Sequence, residues 1–368
     1  MKTFDAVVIG GGIMGCSIAR SLAGEKWKVA LVERGAPGEE ASWAAAGMLA
    51  PSAEAEAGSL LFDACRASFK MYRSFAEELH SETGIDPQYR GEGTLLLYEN
   101  ERERDAMMAS IEWQRKQCIP ITEVSPEELR REEPNLAPCP GAFYLAADHQ
   151  IDNRLLMRAL IASCRQRGVQ FFLGKTVREV GHNGHGATGV SLEDGSISAA
   201  RVVNTAGAWA GAVEVRGLSP APIRPVKGHM IALENPTVPL RHVVRTHRVY
   251  LVPRQNGPVL VGSTMEEAGF DKTPRAGPIA RLLRAAQHLC PTLDESAIKD
   301  CWAGLRPASP DGLPLIGPTS LDGYWLALGH FRNGILLTPV TAQVLSSWMI
   351  QGKPSFPVGA LLPSRFEK

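Results

Sequence analysis

An apolar run, Phe4 to Ile9, leads into Gly10-Gly11-Gly12-Ile13-Met14-Gly15, and Glu33 closes a second apolar run downstream. That order of residues suits a pyrophosphate. Gly10 permits a tight turn, Gly12 lets a phosphate approach the backbone, and Gly15 lets helix and strand pack closely. The helix start offers free N–H groups and a partial positive charge. A carboxylate about 20 residues on can accept hydrogen bonds from ribose hydroxyls and disfavours a 2′-phosphate. The spacing therefore points to NAD or FAD over NADP, and does not separate the first two. A lone G-x-G-x-x-G is a weak signal; here strand, helix, second strand and acidic end follow in order.

Near the other end, LALGHFRNGILLTPVTAQVL (326–345) reads as a strand, a turn at His330-Phe331-Arg332-Asn333-Gly334, and a helix beginning near Gly334. A helix N-terminus there would stabilise the negative charge that a reduced flavin gathers near N1 and C2=O. The plainer alternative is that Arg332 caps or salt-bridges a helix. Two small-residue passages, 44–49 and 204–209, could run beside a flat ring, or be helix-favouring alanines and a strand-end turn. Arg306, in Gly-Leu-Arg-Pro, has the fork that grips a carboxylate through two parallel hydrogen bonds, although ion pairing is an arginine's commoner fate. Tyr250 alternates with Val249 and Leu251 and could add a phenol, or be a half-buried sheet aromatic. His229, His247 and His330 read as hydrogen-bonded structural histidines. No His/Cys cluster has metal-ligand spacing, so no metal is expected.

These residues need elements to hold them. The chain has 368 residues, room for one large or two ordinary domains. Its 39 Lys and Arg balance its 39 Asp and Glu, so nothing favours nucleic acid or a membrane surface. No apolar run reaches the roughly 18 residues of a membrane span. Met1-Lys2-Thr3 leads into a strand pattern, unlike a signal peptide. Seven irregularly spaced cysteines fit reduced thiols in a cytoplasm.

Phe4–Ile9 and Val29–Val32 predict buried parallel strands flanking a helix over 13–23. Helices are predicted over 59–83, 99–117, 152–168 and 279–289, with a capping box from Ser125 to Glu128. Residues 39–51 read as loop or frayed helix. Strands are predicted at 93–98 and 169–173, and a β pattern spans 177–203 with a turn at 193–195. Further strands at 230–233, 249–252 and 259–261 suggest an antiparallel sheet. The α/β signal occurs at the start, middle and end, which predicts a discontinuous domain interrupted by a second one.

VVIGGGIMG, SWAAAGMLAP, VVNTAGAWA, VYLVPR, VGSTM, WAGLRPASPDGLPLIG and GHFRNGILLTP, taken in order, resemble the FAD-dependent amine and amino-acid oxidases of the D-amino-acid oxidase and sarcosine oxidase class. Within it they look most like the glycine-oxidising branch that serves the thiamin thiazole pathway. The resemblance implies an α/β fold with a discontinuous Rossmann-like FAD-binding domain (1–85, 145–222, 302–368) and a substrate-binding domain with a mainly antiparallel sheet (86–144, 223–301). It implies noncovalent FAD touched by Gly10, Gly12, Ile13, Met14, Gly15, Glu33, Arg34, Ser42, Ala46, Gly47, Met48 and Val177, and by His330, Phe331, Arg332, Asn333, Gly334, Ile335 and Leu336. Arg306 would bind the substrate carboxylate, Tyr250 would share it, Met265 would lie near the substrate, and Arg332 would help close the site.

Ala41 stands where the family often has a hydroxyl and Ala308 where glycine is common. Residues 59–67 are expected as cover for the site. The implied reaction is oxidative deamination of glycine, sarcosine or small D-amino acids with O2 as acceptor, in a cytoplasmic homo-oligomer; tetramers occur in the family. A dehydrogenase with another acceptor, a non-catalytic flavin binder and an NAD dehydrogenase remain alternatives.

Overall fold

The computed structural model describes residues 3–52, 59–234, 240–255 and 257–367. Its first sheet is built on a parallel core. The strand Thr3–Ile9 lies between Val29–Glu33 and Gly195–Asn204, with Gln170–Leu173 beyond Val29–Glu33 and Tyr324–Leu328 beyond Gly195–Asn204. Period-2 alternation gives this sheet two buried faces. Ala6 and Val8 pack with residues of the helices Ile13–Gly24, Leu60–Thr83, Asn153–Gln166 and Thr338–Gln351. Val7 and Ile9 face the other way, onto Val177–His182 and Ala187–Leu192, and Phe4, before an irregularity where the Asp5 and Ala6 N–H groups share the Lys28 carbonyl, joins that second core. From Ala6 to Ile9 the strand is buried on both faces, which is why that stretch is continuously apolar; Asp5 lies at the exposed start.

The second sheet is mostly antiparallel. Its order runs Ala297–Ala308, Arg224–Glu234, Val259–Gly262, Tyr250–Pro253, Val243–Arg245, Thr94–Tyr98, Gly141–Leu145 and Ile121–Val124. Only the contact of Val243–Arg245 with Thr94–Tyr98 is parallel. Ile231, Leu233, Leu251 and Val261 point to one core, while Met230, Val252, Leu260 and Trp302 point to another shared with Trp43, Ala44, Ala46 and Met48.

Several local expectations need adjustment. The 39–51 stretch holds a short helix, Ala41–Ala44, and a two-residue strand, Met48–Leu49. The β pattern over 177–203 contains an extra turn around 183–186. The capping box at Ser125 and Glu128 is formed. The largest departure is the strand Ala297–Ala308, whose mixed composition hid its pairing with Arg224–Glu234. The expected join at 301/302 falls inside it, so the second sheet's share of the chain extends to Ala308. Among the described residues no helix is long and apolar enough to cross a membrane.

Candidate active site

One large cavity, of about 470 Å³, opens where the two sheets meet. Its lining draws on both ends of the chain. From the first turn come Gly10, Gly12, Ile13 and Met14; from the strand end, Glu33 and Arg34; from the small-residue passage, Ser42, Ala46, Gly47 and Met48. Val177, Thr205 to Trp209 and the 330–335 turn join them. Tyr250, Met265 and Arg306 line the side contributed by the second sheet.

The first turn has the shape a pyrophosphate needs. Gly10 adopts φ +101°, and a Cβ there would come within 2.8 Å of the Thr205 carbonyl. Thr205 Oγ1 donates to the Ile9 carbonyl at 2.7 Å, tying the 204–209 passage to the turn. Glu33 braces the turn from the far side: Oε2 accepts the Gly11 N–H at 2.7 Å and Oε1 the Gly35 N–H at 2.8 Å. Each carboxylate oxygen keeps a lone pair for a ribose hydroxyl. Ser42 Oγ accepts the Ile13 N–H at 2.9 Å, a helix-start donor. Gly15 does not line the cavity. It packs against the Gly10 carbonyl so closely that a Cβ would overlap it, and its role is the close approach of helix and strand.

The 330–338 turn differs from expectation in one respect. The α-helix begins at Thr338, with Pro339 in its first turn, and Phe331–Asn333 is a single 3-10 turn. Leu337 N–H returns to the Asn333 carbonyl and Thr338 N–H to that of Ile335. The Gly334 and Ile335 backbone still borders the cavity. Leu336 does not: it is buried in the core, and its carbonyl accepts the Ser68 hydroxyl at 2.6 Å. Tyr72 donates likewise to the Ile335 carbonyl at 2.7 Å. The helix Leu60–Thr83 thus anchors the turn from behind. Residues 59–67 supply no part of the cavity lining, and 53–58 lie outside the described residues. Burial holds the His330 imidazole down at about 3, so it is neutral, with Nε2 3.1 Å from Thr341 Oγ1. Arg332 is exposed at the cavity rim, its guanidinium 5.5 Å from the Phe331 ring centre.

Gly47 is required by more than a neighbouring ring. Its φ is +72°, and a Cβ would run into the Ile151 carbonyl. Arg254, the last residue of VYLVPR, fixes this passage. Its guanidinium donates to the Ala46 carbonyl at 2.9 Å, to the Ile151 carbonyl at 2.9 Å and to Asn153 Oδ1 at 2.8 Å. Burial lowers its pKa to about 10, which leaves it charged at neutral pH. Sequence reasoning missed Arg254, Ser68 and Tyr72; the motif VYLVPR contained the first, and nothing local marked the other two. Trp209, the last residue of the 204–209 passage, carries the Arg34 guanidinium 3.7 Å over its ring and stacks on Phe270 at 5.5 Å.

Arg306 sits on Ala297–Ala308 opposite Val226, on the cavity face. One terminal nitrogen donates to Ser263 Oγ at 2.7 Å and the other to the Thr264 carbonyl at 3.1 Å. A guanidinium has five donors, so donors remain for a ligand. Tyr250 lies opposite Gly262, and among the described residues its hydroxyl meets only the weak acceptor Sδ of Met230, at 3.2 Å. Met265 is 61% exposed at the mouth of the cavity. Ala41 also borders the cavity, while Ala308 is buried and bridges to His330.

Comparison with known proteins gives the family and the overall fold. The profile of the family described as FAD dependent oxidoreductase (DAO) matches residues 5–348. The chain is 36% identical over 352 residues to a glycine oxidase of Pseudomonas aeruginosa, covering 95% of each. It is 35% identical to the bifunctional protein ThiO/ThiG of a Synechocystis species, covering 99% of this chain and 54% of that one. The crystal structure of glycine oxidase from Geobacillus kaustophilus superposes with a TM-score of 0.94 at 31% identity, covering 98% of each chain.

Proposed function

This chain belongs to the DAO family of FAD-dependent oxidoreductases, and on that premise we propose that with dioxygen and water it oxidises glycine and small D-amino acids to the 2-oxo acid, ammonia and hydrogen peroxide, and sarcosine to glyoxylate, methylamine and hydrogen peroxide. The observation that carries the reading is Arg306: a guanidinium on the cavity wall, fixed by two hydrogen bonds yet with donors to spare. FAD, when bound, would supply the two-electron acceptor for hydride loss from the substrate α-carbon, with dioxygen as the terminal oxidant.

The chain's own residues do the rest. The 10–15 turn and the start of the helix at Ile13 would hold the pyrophosphate, and Glu33 the adenosine ribose. The 46–48 passage and the 330–335 turn would flank the ring system, with Arg34, Ser42 and Val177 along the length of the cofactor. Arg306 binds the substrate carboxylate, Tyr250 donates a second hydrogen bond to it, and Met265 with Arg332 screens the mouth. The amine enters neutral and its lone pair assists loss of hydride, so no strong protein base is needed; orientation supplies most of the rate. The neutral His330 is turned to Thr341 and takes no proton.

Glycine as substrate draws on the two glycine oxidases, and a role in thiamin biosynthesis on the ThiO/ThiG relative. We carry the cytoplasmic location and a homo-oligomer, with a tetramer as the size to test, as parts of the same proposal. The test is a substrate panel on the purified, FAD-loaded protein, read for peroxide and in parallel for dye reduction. Peroxide formed from glycine supports the proposal. Dye reduction without peroxide identifies a dehydrogenase, and no flavin reduction by any small amino acid without oxygen would defeat both.

A further inference from the structure

The two acceptors that fix Arg306 lie just past the end of a strand. Ser263 and Thr264 follow Val259–Gly262, where regular pairing with Arg224–Glu234 has stopped at the Met230–Gly262 pair. What restrains them comes from the Arg224–Glu234 strand itself. Lys227 and Glu266 exchange two backbone hydrogen bonds, each 2.9 Å. His229 then holds Thr264 twice: its backbone N–H donates to Thr264 Oγ1 at 3.0 Å, and its Nδ1 lies 2.8 Å from the same oxygen.

The tautomer follows from the other ring nitrogen. Nε2 accepts the backbone N–H of Arg275 at 3.2 Å, so the proton of the neutral ring sits on Nδ1 and donates to Thr264. His229 is fully buried, and burial holds its pKa below the usual value. Between His229 and Arg306 lies Gly228, where a Cβ would overlap the Arg306 guanidinium. The guanidinium therefore rests directly on the strand that carries His229.

We infer that Thr264 and His229 are positioning residues for carboxylate recognition: their hydrogen bonds hold the Thr264 carbonyl and the Ser263 hydroxyl, which set the orientation of the Arg306 fork. The inference rests on the reading of Arg306 as the carboxylate grip. A two-bond contact between guanidinium and carboxylate is directional, so a tilt of the fork weakens binding without touching the reacting bond.

The test uses holoenzyme and two probes: acetate, titrated by its perturbation of the flavin spectrum, and glycine turnover. Thr264→Val should weaken acetate binding and raise KM for glycine about tenfold, the loss of about one charge-assisted hydrogen bond, with kcat within about twofold and FAD content unchanged. Thr264→Ser, which keeps Oγ, should behave as the native protein. Where Thr264→Val does not fold, His229→Gln, which withdraws the Nδ1 donor, carries the same expectation. Native acetate affinity and KM in Thr264→Val, or equal losses in the Ser and Val variants, would overturn the positioning role. Arg306→Ala separates the two claims: acetate binding that survives this change overturns the carboxylate grip itself, whereas its loss with an unaffected Thr264→Val overturns only the inference.

Discussion

At the scale of single residues, the reading stands on which donors are spent and which are left over. Arg306 uses one donor on Ser263 and one on Thr264. Removing the guanidinium should cost an ionic two-bond contact, on the order of 2–3 kcal/mol or roughly 30- to 150-fold. Arg306→Ala should raise KM for glycine by that factor while the protein stays yellow; steady-state kinetics beside the ratio of flavin to protein absorbance checks both halves. Tyr250→Phe loses one hydrogen bond to the same group, and about a three- to tenfold rise in KM is expected. The phenol's present contact with Met230 Sδ is too weak to compete with a carboxylate. Both arginine and tyrosine were legible from the motifs around them. Thr264 and His229 were not, because His229 was only one of several histidines near candidate motifs and its partner lies 35 residues away in the chain.

At the scale of elements, the site depends on helices that never reach it. Ser68 and Tyr72, on Leu60–Thr83, hold the carbonyls of Leu336 and Ile335. Tyr72 is fully buried, so Tyr72→Phe leaves a buried carbonyl without its donor. A cost of about 1–3 kcal/mol is expected, or a melting temperature lower by several degrees. Calorimetry should show this loss in the apo form and a larger one in the FAD-loaded form, because a loosened turn also weakens FAD affinity. Gly15→Ala should be harsher, because its Cβ would overlap the Gly10 carbonyl: little soluble protein, and none that retains flavin. The periodicity of Leu60–Thr83 announced an amphipathic helix. It did not announce that its buried face carries two hydroxyls aimed at a turn some 260 residues downstream.

At the scale of the whole molecule, acid should loosen the structure built on the first sheet through two overlapping pH windows. Glu82 bridges Arg20 on the first helix, at 2.7 Å, and Arg167, at 2.6 Å. Burial acts to raise its pKa, but hydrogen bonds from Arg167, Arg20 and Ser163 outweigh it and hold the carboxyl at about 2 against an ordinary 4.5. Its contribution is complete above 4.5 and fades as pH falls toward 2. His330, about 3 in the fold against 6.5 free, is neutral when folded, so stability drains away as pH falls from 6.5 toward 3. Melting temperature should decline with acid through both windows. Glu82→Gln should melt lower at neutral pH, with the gap from the native protein closing below pH 4.5.

By itself the sequence determined the nucleotide turn, the acidic strand end, the arginine and tyrosine facing a cavity, and an α/β framework split by an antiparallel sheet. Those features are local: glycine spacing, period-2 burial and motif context carry them. Only the tertiary structure decided that Ala297–Ala308 belongs to the second sheet, that Leu336 turns into the core, and which groups hold Arg306 in place. Each of these depends on partners brought together by sheet pairing across tens to hundreds of residues, and nothing in a residue's own neighbourhood encodes the identity of a partner so far along the chain.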